Sequence, residues 1–588
     1  MNRSSWFDVG GYSGHRVVWE TANASSAEET ATPMPLSLRR RSWGNREEMM
    51  RKLLVISALG SGVLALVSGG SLAQTKDTII IAVPGTPQGV DVDRQSGPQT
   101  WTMAAQVIEP GAEWKPTTYP YAPTPGADPT KIPGFTYPDF RAQQMVPSIV
   151  ENCDLSADSK TAVYHLRKGV KSAVGNEFTA KDVLWKVARA HELKAIGTFM
   201  QNAANAPDPK QWQEVDDHAV RISSDKPMPL ICKILTNLYW YWYDSTEAKK
   251  HSTPEDPWAT KWASTSLVAF GPYVIRSWEA GNRVVMDANP NYWQGPPKIK
   301  HIIYQVVPES ASRLALLKEG KVDLIEGVSP DEAVSLAAAT NVRVAAVRGN
   351  QSIYLVMNNI KAPFDKVQVR QAINHLLARD QIVKDIYRGL AVTWEGVMPS
   401  VYPGYVEFNN YRYDVAEAKR LLAEAGYANG FQTTLTYSAG DPVQENIAVL
   451  LKSTLSQVGI NIDLRKQPVS AHSDVVQSKK ADFALWIDYP IQPDPNYSLR
   501  LLYLTGNAVN YQNYSDKEVD RLLEEGASIV DSAQRNRFHR PAEERIHEAA
   551  TLGWIAEPSY VNAMSANLSG WKWFTTQYYK VSEMSFAK

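Results

Sequence analysis

Asp488 is the residue of this 588-residue chain with the clearest potential for binding chemistry. It ends the run Leu485-Trp486-Ile487-Asp488, and the aromatic residues Trp486 and Tyr489 flank it. A carboxylate taken out of water is costly unless a cationic group or internal hydrogen-bond donors stabilise it. Asp488 therefore predicts one of two roles. It recognises an amine of a ligand, with Trp486 and Tyr489 lining the site, or it forms a local turn or helix cap before the proline-rich residues 489–495.

A second candidate is the aromatic segment 239–243, which alternates Tyr and Trp. In a strand, Trp240 and Trp242 would share one face and the three tyrosines would share the other. One face could then pack in the core while the other offers a wall on which sugars or aromatic groups stack; packing alone is the alternative. The 18 Trp and 27 Tyr of the chain suit a cleft that holds a ligand.

The sequence carries no Walker A, GxGxxG, GxSxG or HExxH motif. Several histidines lie far apart along the chain: His165, His191, His375, His472 and His547. Two cysteines, Cys153 and Cys232, are too few for a zinc or iron–sulfur cluster. We therefore expect a binding protein rather than an enzyme, with no metal and no cofactor.

The amino-acid composition argues against some classes of protein. Lys and Arg number 61, Asp and Glu number 62, and the net charge is −1, which argues against nucleic-acid binding. A hydrophobic content of 44% and a charged content of 21% are typical of a globular protein. The length predicts several domains.

Residues 50–73 are organised like a secretory signal peptide. Met50-Arg51-Lys52 is basic, residues 53–67 are mostly apolar, and Ser71-Leu72-Ala73 supplies small residues before a cleavage site. The mature chain would begin at Gln74. We interpret residues 1–49 as a non-native N-terminal extension and expect no transmembrane helix.

Export to an oxidising compartment would allow Cys153 to pair with Cys232, and two independent thiols are the alternative.

The remaining pattern is that of an α/β protein with several lobes. Strands are predicted at 76–83 and 161–167, and Thr179 is predicted to cap a helix over 179–191. Later segments predict a βαβ unit: strand 431–437, helix 442–458 and strand 460–465. Further predictions are helices that begin at Asp365, Asp380 and Asp414, a helix over 532–548 kinked or split at Pro541, and a long proline-rich loop over 110–147.

Several long motifs resemble one family. They are KTAVYHLRKGVKSAVGNEFTAKDVLWK (160–186), the stretch from FGPYVIRSWEAGNRVVMDANPNYW onward (270–323), and residues 354–389, 413–431 and 443–465. In this order they resemble the solute-binding proteins of peptide-type ABC importers, the extracytoplasmic family 5 with dipeptide-, oligopeptide- and nickel-binding members. The resemblance covers nearly all of residues 76–588.

The resemblance implies a two-lobed periplasmic-binding-protein clamshell of α/β class, with an extra subdomain inserted in the first lobe. The first lobe maps to 74–90, 232–348 and 566–588, the inserted subdomain to 91–231, and the second lobe to 349–565. Crossings near 348 and 565 would form a hinge, and ligand bound between the lobes would favour the closed form that the importer recognises.

The resemblance also implies site residues. Asp488 matches the position that pairs with the ligand's α-ammonium group in peptide-binding members. Trp101 and Trp394 lie in loops that approach the ligand, and Tyr354 and Asn358 follow the hinge strand.

The implied protein is a periplasmic monomer that partners ABC permease subunits of the inner membrane and binds no nucleic acid. Its ligand would be a peptide or another amine-bearing compound; a sugar, an opine or another non-peptide nutrient is the alternative. An exported hydrolase, a chaperone and a surface adhesin are more remote alternatives.

Overall fold

The computed structural model describes residues 76–119, 135–138, 144–574 and 578–587. The predicted signal peptide and the predicted extension before it lie outside these residues. The described residues belong to one compact unit, Ala73–Lys588. No helix in this part of the chain is both long enough and apolar enough to cross a membrane.

Helices alternate with strands along the described chain. The α-helices are Pro98–Val107, Ala180–Glu192, Ile196–Ala203, Ser245–Lys250, Thr260–Ser266, Ser310–Lys318, Pro330–Ala337, Val367–His375, Arg379–Gln381, Val415–Glu424, Pro442–Ser456, Val469–Gln477, Pro495–Tyr503, Lys517–Ala527 and Ser532–Glu548.

Twelve strands form one large mixed sheet. One half holds, in spatial order, Tyr273–Glu279, Arg283–Ala288, His301–Val306, Thr78–Val83 and Leu324–Ile325. The other half holds Ser352–Met357, Phe483–Asp488, Gln432–Ser438 and Asn461–Gln467. Val342–Arg348 and Ala391–Thr393 pair with the long strand Leu552–Ser565, which joins the two halves. Apolar runs such as residues 78–83 form central strands because both of their faces are covered.

The long strand Leu552–Ser565 passes from one half of the sheet to the other. Its first residues pair with Ser352–Met357, and its residues 559–565 pair with Val342–Arg348. The change of partner therefore falls near residues 556–559, whereas the sequence placed the second crossing near 565. The lobe boundaries stay a prediction.

A separate four-stranded sheet packs with two helices between residues 150 and 223. Its strands are, in order, Val150–Leu155, Thr161–Leu166, Ala219–Ser223 and Trp212–Asp216. Cys153 on its edge strand forms a disulfide with Cys232, with the Cα atoms 5.8 Å apart. The bond ties this sheet to the chain that follows it.

A buried ion cluster joins the loop at residue 91 to helix Ala180–Glu192. Arg189 donates to Asp91 (Nη2–Oδ2 2.5 Å) and to Asp93 (Nη1–Oδ2 2.5 Å), and Lys186 Nζ donates to Asp93 Oδ1 at 2.6 Å. All four side chains are buried, and their charges balance. Removing one partner would leave an unpaired buried charge, at a cost of about 3–5 kcal/mol. The cluster thus fixes the backbone that leads into helix Pro98–Val107.

Several predicted elements are confirmed. Thr179 and Asp182 form a capping box at the start of helix Ala180–Glu192, and Asp414 accepts the Glu417 N–H at the start of the helix that follows it. Strands Gln432–Ser438 and Asn461–Gln467 pair in parallel, as the predicted βαβ unit requires.

Other predicted elements differ in detail. The helices predicted to begin at Asp365 and Asp380 are present, but their N-caps are Lys366 and Ala378: the first helix is Val367–His375, and the second is Arg379–Gln381, which continues as the π-helix Ile382–Ile386. Pro541 does not split its helix, since Ser532–Glu548 is continuous, and a kink there stays a prediction.

The proline-rich stretch 110–147 is not one loop where it is described. Its described parts form two short antiparallel pairs, Ala112–Trp114 with Met145–Pro147 and Pro116–Tyr119 with Phe135–Pro138.

Candidate functional site

A cavity of about 650 Å³ lies where the large sheet faces the helix that begins at Pro98. One wall consists of residues 96–101 together with Phe199 and Tyr239. The opposite wall comes from residues 438–444, 469–477, 486–491 and 497–511. The predicted lobe map assigns these two walls to different lobes.

Asp488 lies in this second wall, at the carboxyl end of strand Phe483–Asp488. Its Oδ1 accepts the backbone N–H of Tyr489 at 2.7 Å, and its Oδ2 accepts the hydroxyl of Tyr354 at 3.3 Å. Among the residues that the structure describes, no Lys, Arg or His lies within ion-pair distance of this carboxylate. Burial raises the pKa of Asp488 to about 6, although both hydrogen bonds lower it. The carboxylate is thus partly desolvated and lacks a cation.

Aromatic side chains line the cavity together with Asp488. Trp101 meets Tyr489 edge to face, with ring centroids 6.1 Å apart, and its indole Nε1 donates to the Tyr239 hydroxyl at 2.8 Å. Trp486 meets Tyr511 in the same way at 5.6 Å. The indole Nε1 of Trp486 is buried and has no hydrogen-bond partner among the described residues. This donor is therefore unsatisfied within the described part of the chain.

Four predicted site residues come together here. Asp488, Trp486, Tyr489 and Trp101 all line the cavity. Tyr354 is buried and does not line the cavity, but its hydroxyl donates to Asp488.

The predicted strand at residues 239–243 is wrong. Leu238–Trp240 is a short 3-10 helix, so Trp240 and Trp242 do not share a strand face. Both are fully buried: Trp240 packs against Trp212 at 5.2 Å and Trp242 against Phe178 at 5.3 Å. These two indoles fill the core and do not line the cavity. Of this segment, Tyr239 lines it instead.

Trp394 and Asn358 also lie away from the cavity. Trp394 is buried against Tyr354 at 6.0 Å, and its Nε1 donates to the Met398 carbonyl. The Asn358 side chain accepts from Asn513 and from the backbone of the following turn. Both residues therefore stabilise the second half of the sheet and its loops.

The sequence analysis missed other lining residues: Phe199, Asp441, His472, Tyr497 and Tyr511. Asp441 carried a signal only as a helix cap, and its Oδ1 does accept from the N–H groups of Val443 and Gln444. The others come from separate elements, and nothing local in the sequence marks them.

Contacts between the two walls hold the cavity closed on one side. Lys233 Nζ lies 3.0 Å from Asp494 Oδ2, and Asn237 Nδ2 donates to the Ile491 carbonyl at 3.3 Å. Asp494 also accepts two bonds from Arg535 Nη1, at 2.9 and 2.8 Å. Despite burial, these two cations lower the pKa of Asp494 to about 2. Asp494 therefore stays charged and anchors Lys233 across the cleft.

The described residues contain no group of three His, Cys, Asp or Glu side chains placed to hold a metal ion. The arrangement is suited to binding an organic cation, because it combines a partly buried carboxylate with aromatic faces.

Comparisons with known proteins agree with this geometry. A family model described as bacterial extracellular solute-binding proteins, family 5 Middle, matches residues 144–510. The chain is 27% identical to heme-binding protein A of Haemophilus influenzae over 439 residues, which are 70% of this chain and 78% of that protein. It is 26% identical to a glutathione-binding protein of Shigella flexneri over 438 residues, which are 72% of this chain and 82% of that protein.

Among solved structures, the ABC transporter-associated periplasmic binding protein DppA of Helicobacter pylori, in complex with the peptide STSA, superposes with a TM-score of 0.74. The alignment covers 87% of this chain and 99% of that chain at 22% identity. This likeness confirms the predicted α/β clamshell class of fold.

Proposed function

Because this chain belongs to the bacterial extracellular solute-binding proteins of family 5, we propose that it captures an amine-bearing solute, most typically a peptide, for an ABC importer. The solute would bind between the two walls of the cavity. The relatives carry different ligands in their names, haem in one and glutathione in another. The choice of ligand class therefore depends on this chain's own residues.

The proposal that the ligand carries an amine rests on Asp488. It is a carboxylate at the cavity wall with two hydrogen bonds and no cation among the described residues. An ammonium group would supply the missing charge, and it would restore the ionised form that burial disfavours. Aromatic faces next to it would add cation–π attraction.

The same family membership supports a proposal for location and partners. We propose that the chain works in the periplasm after removal of a signal peptide, as a monomer, with permease subunits of an ABC importer as its partner. We also propose that it binds its ligand without chemical change, so that the bound solute is released intact.

Asp488→Asn tests directly whether the carboxylate recognises an amine, because the substitution keeps the shape of the side chain and removes its charge. Dipeptides and neutral sugars are compared by thermal shift and calorimetry on the wild type and on this variant. We expect the wild type to bind dipeptides and the variant to lose at least about tenfold in affinity.

A matched control is Asp482→Asn, since Asp482 is half-buried, lies outside the cavity lining in the same part of the chain and pairs with Lys361. It should bind like the wild type. If a neutral sugar binds tightly and still does so after Asp488→Asn, the alternative is favoured, a receptor for sugars or other non-peptide nutrients. That result would refute the proposal that the ligand carries an amine.

A further inference from the structure

The charged side chains that line the cavity also bear on the net charge of the ligand. Both acidic side chains that line it, Asp441 and Asp488, are carboxylates held by the fold. Among the described lining residues, none is Lys or Arg, and His472 is the single imidazole. The cavity thus presents fixed negative charge.

His472 does not offset this charge. Its Nε2 lies 2.8 Å from the Leu485 carbonyl oxygen, and the side chain is almost fully buried. Burial lowers the pKa of His472, although the contact with Leu485 raises it, so the imidazole stays neutral at pH 7.

Two lysines close in sequence to the cavity walls are paired elsewhere. Lys233 is bound to Asp494, and Lys466 lies 2.7 Å from Glu445. Neither needs a ligand carboxylate to balance its charge.

Both cavity carboxylates act on Tyr489, which lines the same cavity. The pKa of its hydroxyl is raised first by burial, then by Asp488 and by Asp441. A charged group of the ligand near Tyr489 would therefore feel both carboxylates in a partly desolvated space, where Coulomb forces are stronger than in water.

From this arrangement we propose that the cavity selects ligands of net positive charge, such as peptides with a blocked carboxyl end or other amines without a carboxylate, over zwitterionic peptides. The inference rests on the proposed function, because it assumes that an ammonium group binds at Asp488. A free carboxylate on the same ligand would be repelled by Asp441 and Asp488.

Three probes that share one skeleton test the charge preference by calorimetry on the full chain at pH 7. Alanyl-phenylalanine is a zwitterion, its C-terminal amide carries one positive charge, and the N-acetylated amide is neutral. We expect the amide to bind at least about tenfold more tightly than the free dipeptide, which corresponds to about 1.4 kcal/mol.

The variant Asp441→Asn tests the role of the second carboxylate. Asn caps helices as well as Asp does, so the helix Pro442–Ser456 should keep its start. We expect the preference for the amide to shrink about threefold or more in this variant and to stay unchanged in the control Asp482→Asn.

The inference is overturned if the free dipeptide binds as tightly as the amide, or if the amide does not bind. If the free dipeptide binds as tightly as the amide but Asp488→Asn abolishes dipeptide binding, the proposed function still stands. Binding of the neutral acetylated probe as tightly as the amide would instead refute amine recognition itself.

Discussion

The pKa of Asp488 makes ligand affinity depend on pH in a defined direction. Burial raises this pKa to about 6 in the unliganded protein. An ammonium ligand binds the ionised carboxylate, so affinity should rise from pH 5 to pH 7, and it should fall again near pH 8, where the ligand's own ammonium group loses its proton. From a pKa of 6, about nine-tenths of the carboxylate is ionised at pH 7 and about one-tenth at pH 5.

The expected loss between pH 7 and pH 5 is therefore about tenfold, or about 1.4 kcal/mol. The ammonium group of alanyl-phenylalaninamide, with a pKa near 8, stays charged over this range. The hydroxyl of Tyr354, which donates to Asp488, stays protonated over this range because burial raises its pKa.

Isothermal titration calorimetry with this amide at pH 5, 6, 7 and 8 and constant ionic strength measures the profile. The near-UV circular dichroism of the unliganded protein, recorded at each pH, checks that the fold is unchanged. Asp488→Asn should flatten the profile. Equal affinities at pH 5 and pH 7 in the wild type, or the same slope in the variant, would refute the role given to Asp488.

Three further outcomes are expected. Because Asp488 is partly desolvated without a cation, Asp488→Asn should stabilise the unliganded chain at pH 7 by about 1–3 kcal/mol in urea denaturation; a destabilised variant would contradict this. Lys233→Met removes one contact across the cleft while Asp494 keeps Arg535. The variant should bind ligand about threefold to tenfold more weakly, and the radius of gyration of the unliganded protein in X-ray scattering should rise. If neither value changes, the contact between Lys233 and Asp494 does not help to close the cleft. Burial raises the pKa of Glu543 to about 8. The protonated form of Glu543 stabilises the folded chain fully below the pKa of the unfolded state, and this stabilisation is lost as pH rises through 8. Glu543→Gln should therefore have a free energy of unfolding about 1–3 kcal/mol above that of the wild type at pH 9 and nearly equal to it at pH 4. A difference that does not depend on pH would contradict the assignment.

Much of the fold could be predicted because its signals are local. Caps such as Thr179 and Asp414 mark helix starts by hydrogen bonds within one turn. The βαβ unit followed from periodicity and connection length alone. The predicted starts at Asp365 and Asp380 were displaced by one or two residues, because the actual N-caps, Lys366 and Ala378, make no side-chain hydrogen bond that the sequence could signal.

The candidate site was predicted where one segment carries it. Asp488, Trp486 and Tyr489 are adjacent in sequence, so a single strand end brings them to the cavity. Trp240 and Trp242 were misplaced because a strand was assumed for a segment that turns, and the turn buries both indoles.

The rest of the cavity could not be predicted from the sequence. Asp441, His472 and Tyr497 lie on three different helices or helix starts. Only the packing of those helices around the end of strand Phe483–Asp488 makes them neighbours of Asp488. The charge of the cavity is thus a property of the folded chain.

The most direct test of the central claim is a native mass spectrum of the exported protein, purified without refolding, with the retained cargo released and identified. The account predicts a cargo with an amine, retained by the wild type and by Asp482→Asn and lost from Asp488→Asn. A cargo without an amine, or one that Asp488→Asn retains as well as the wild type does, would contradict it.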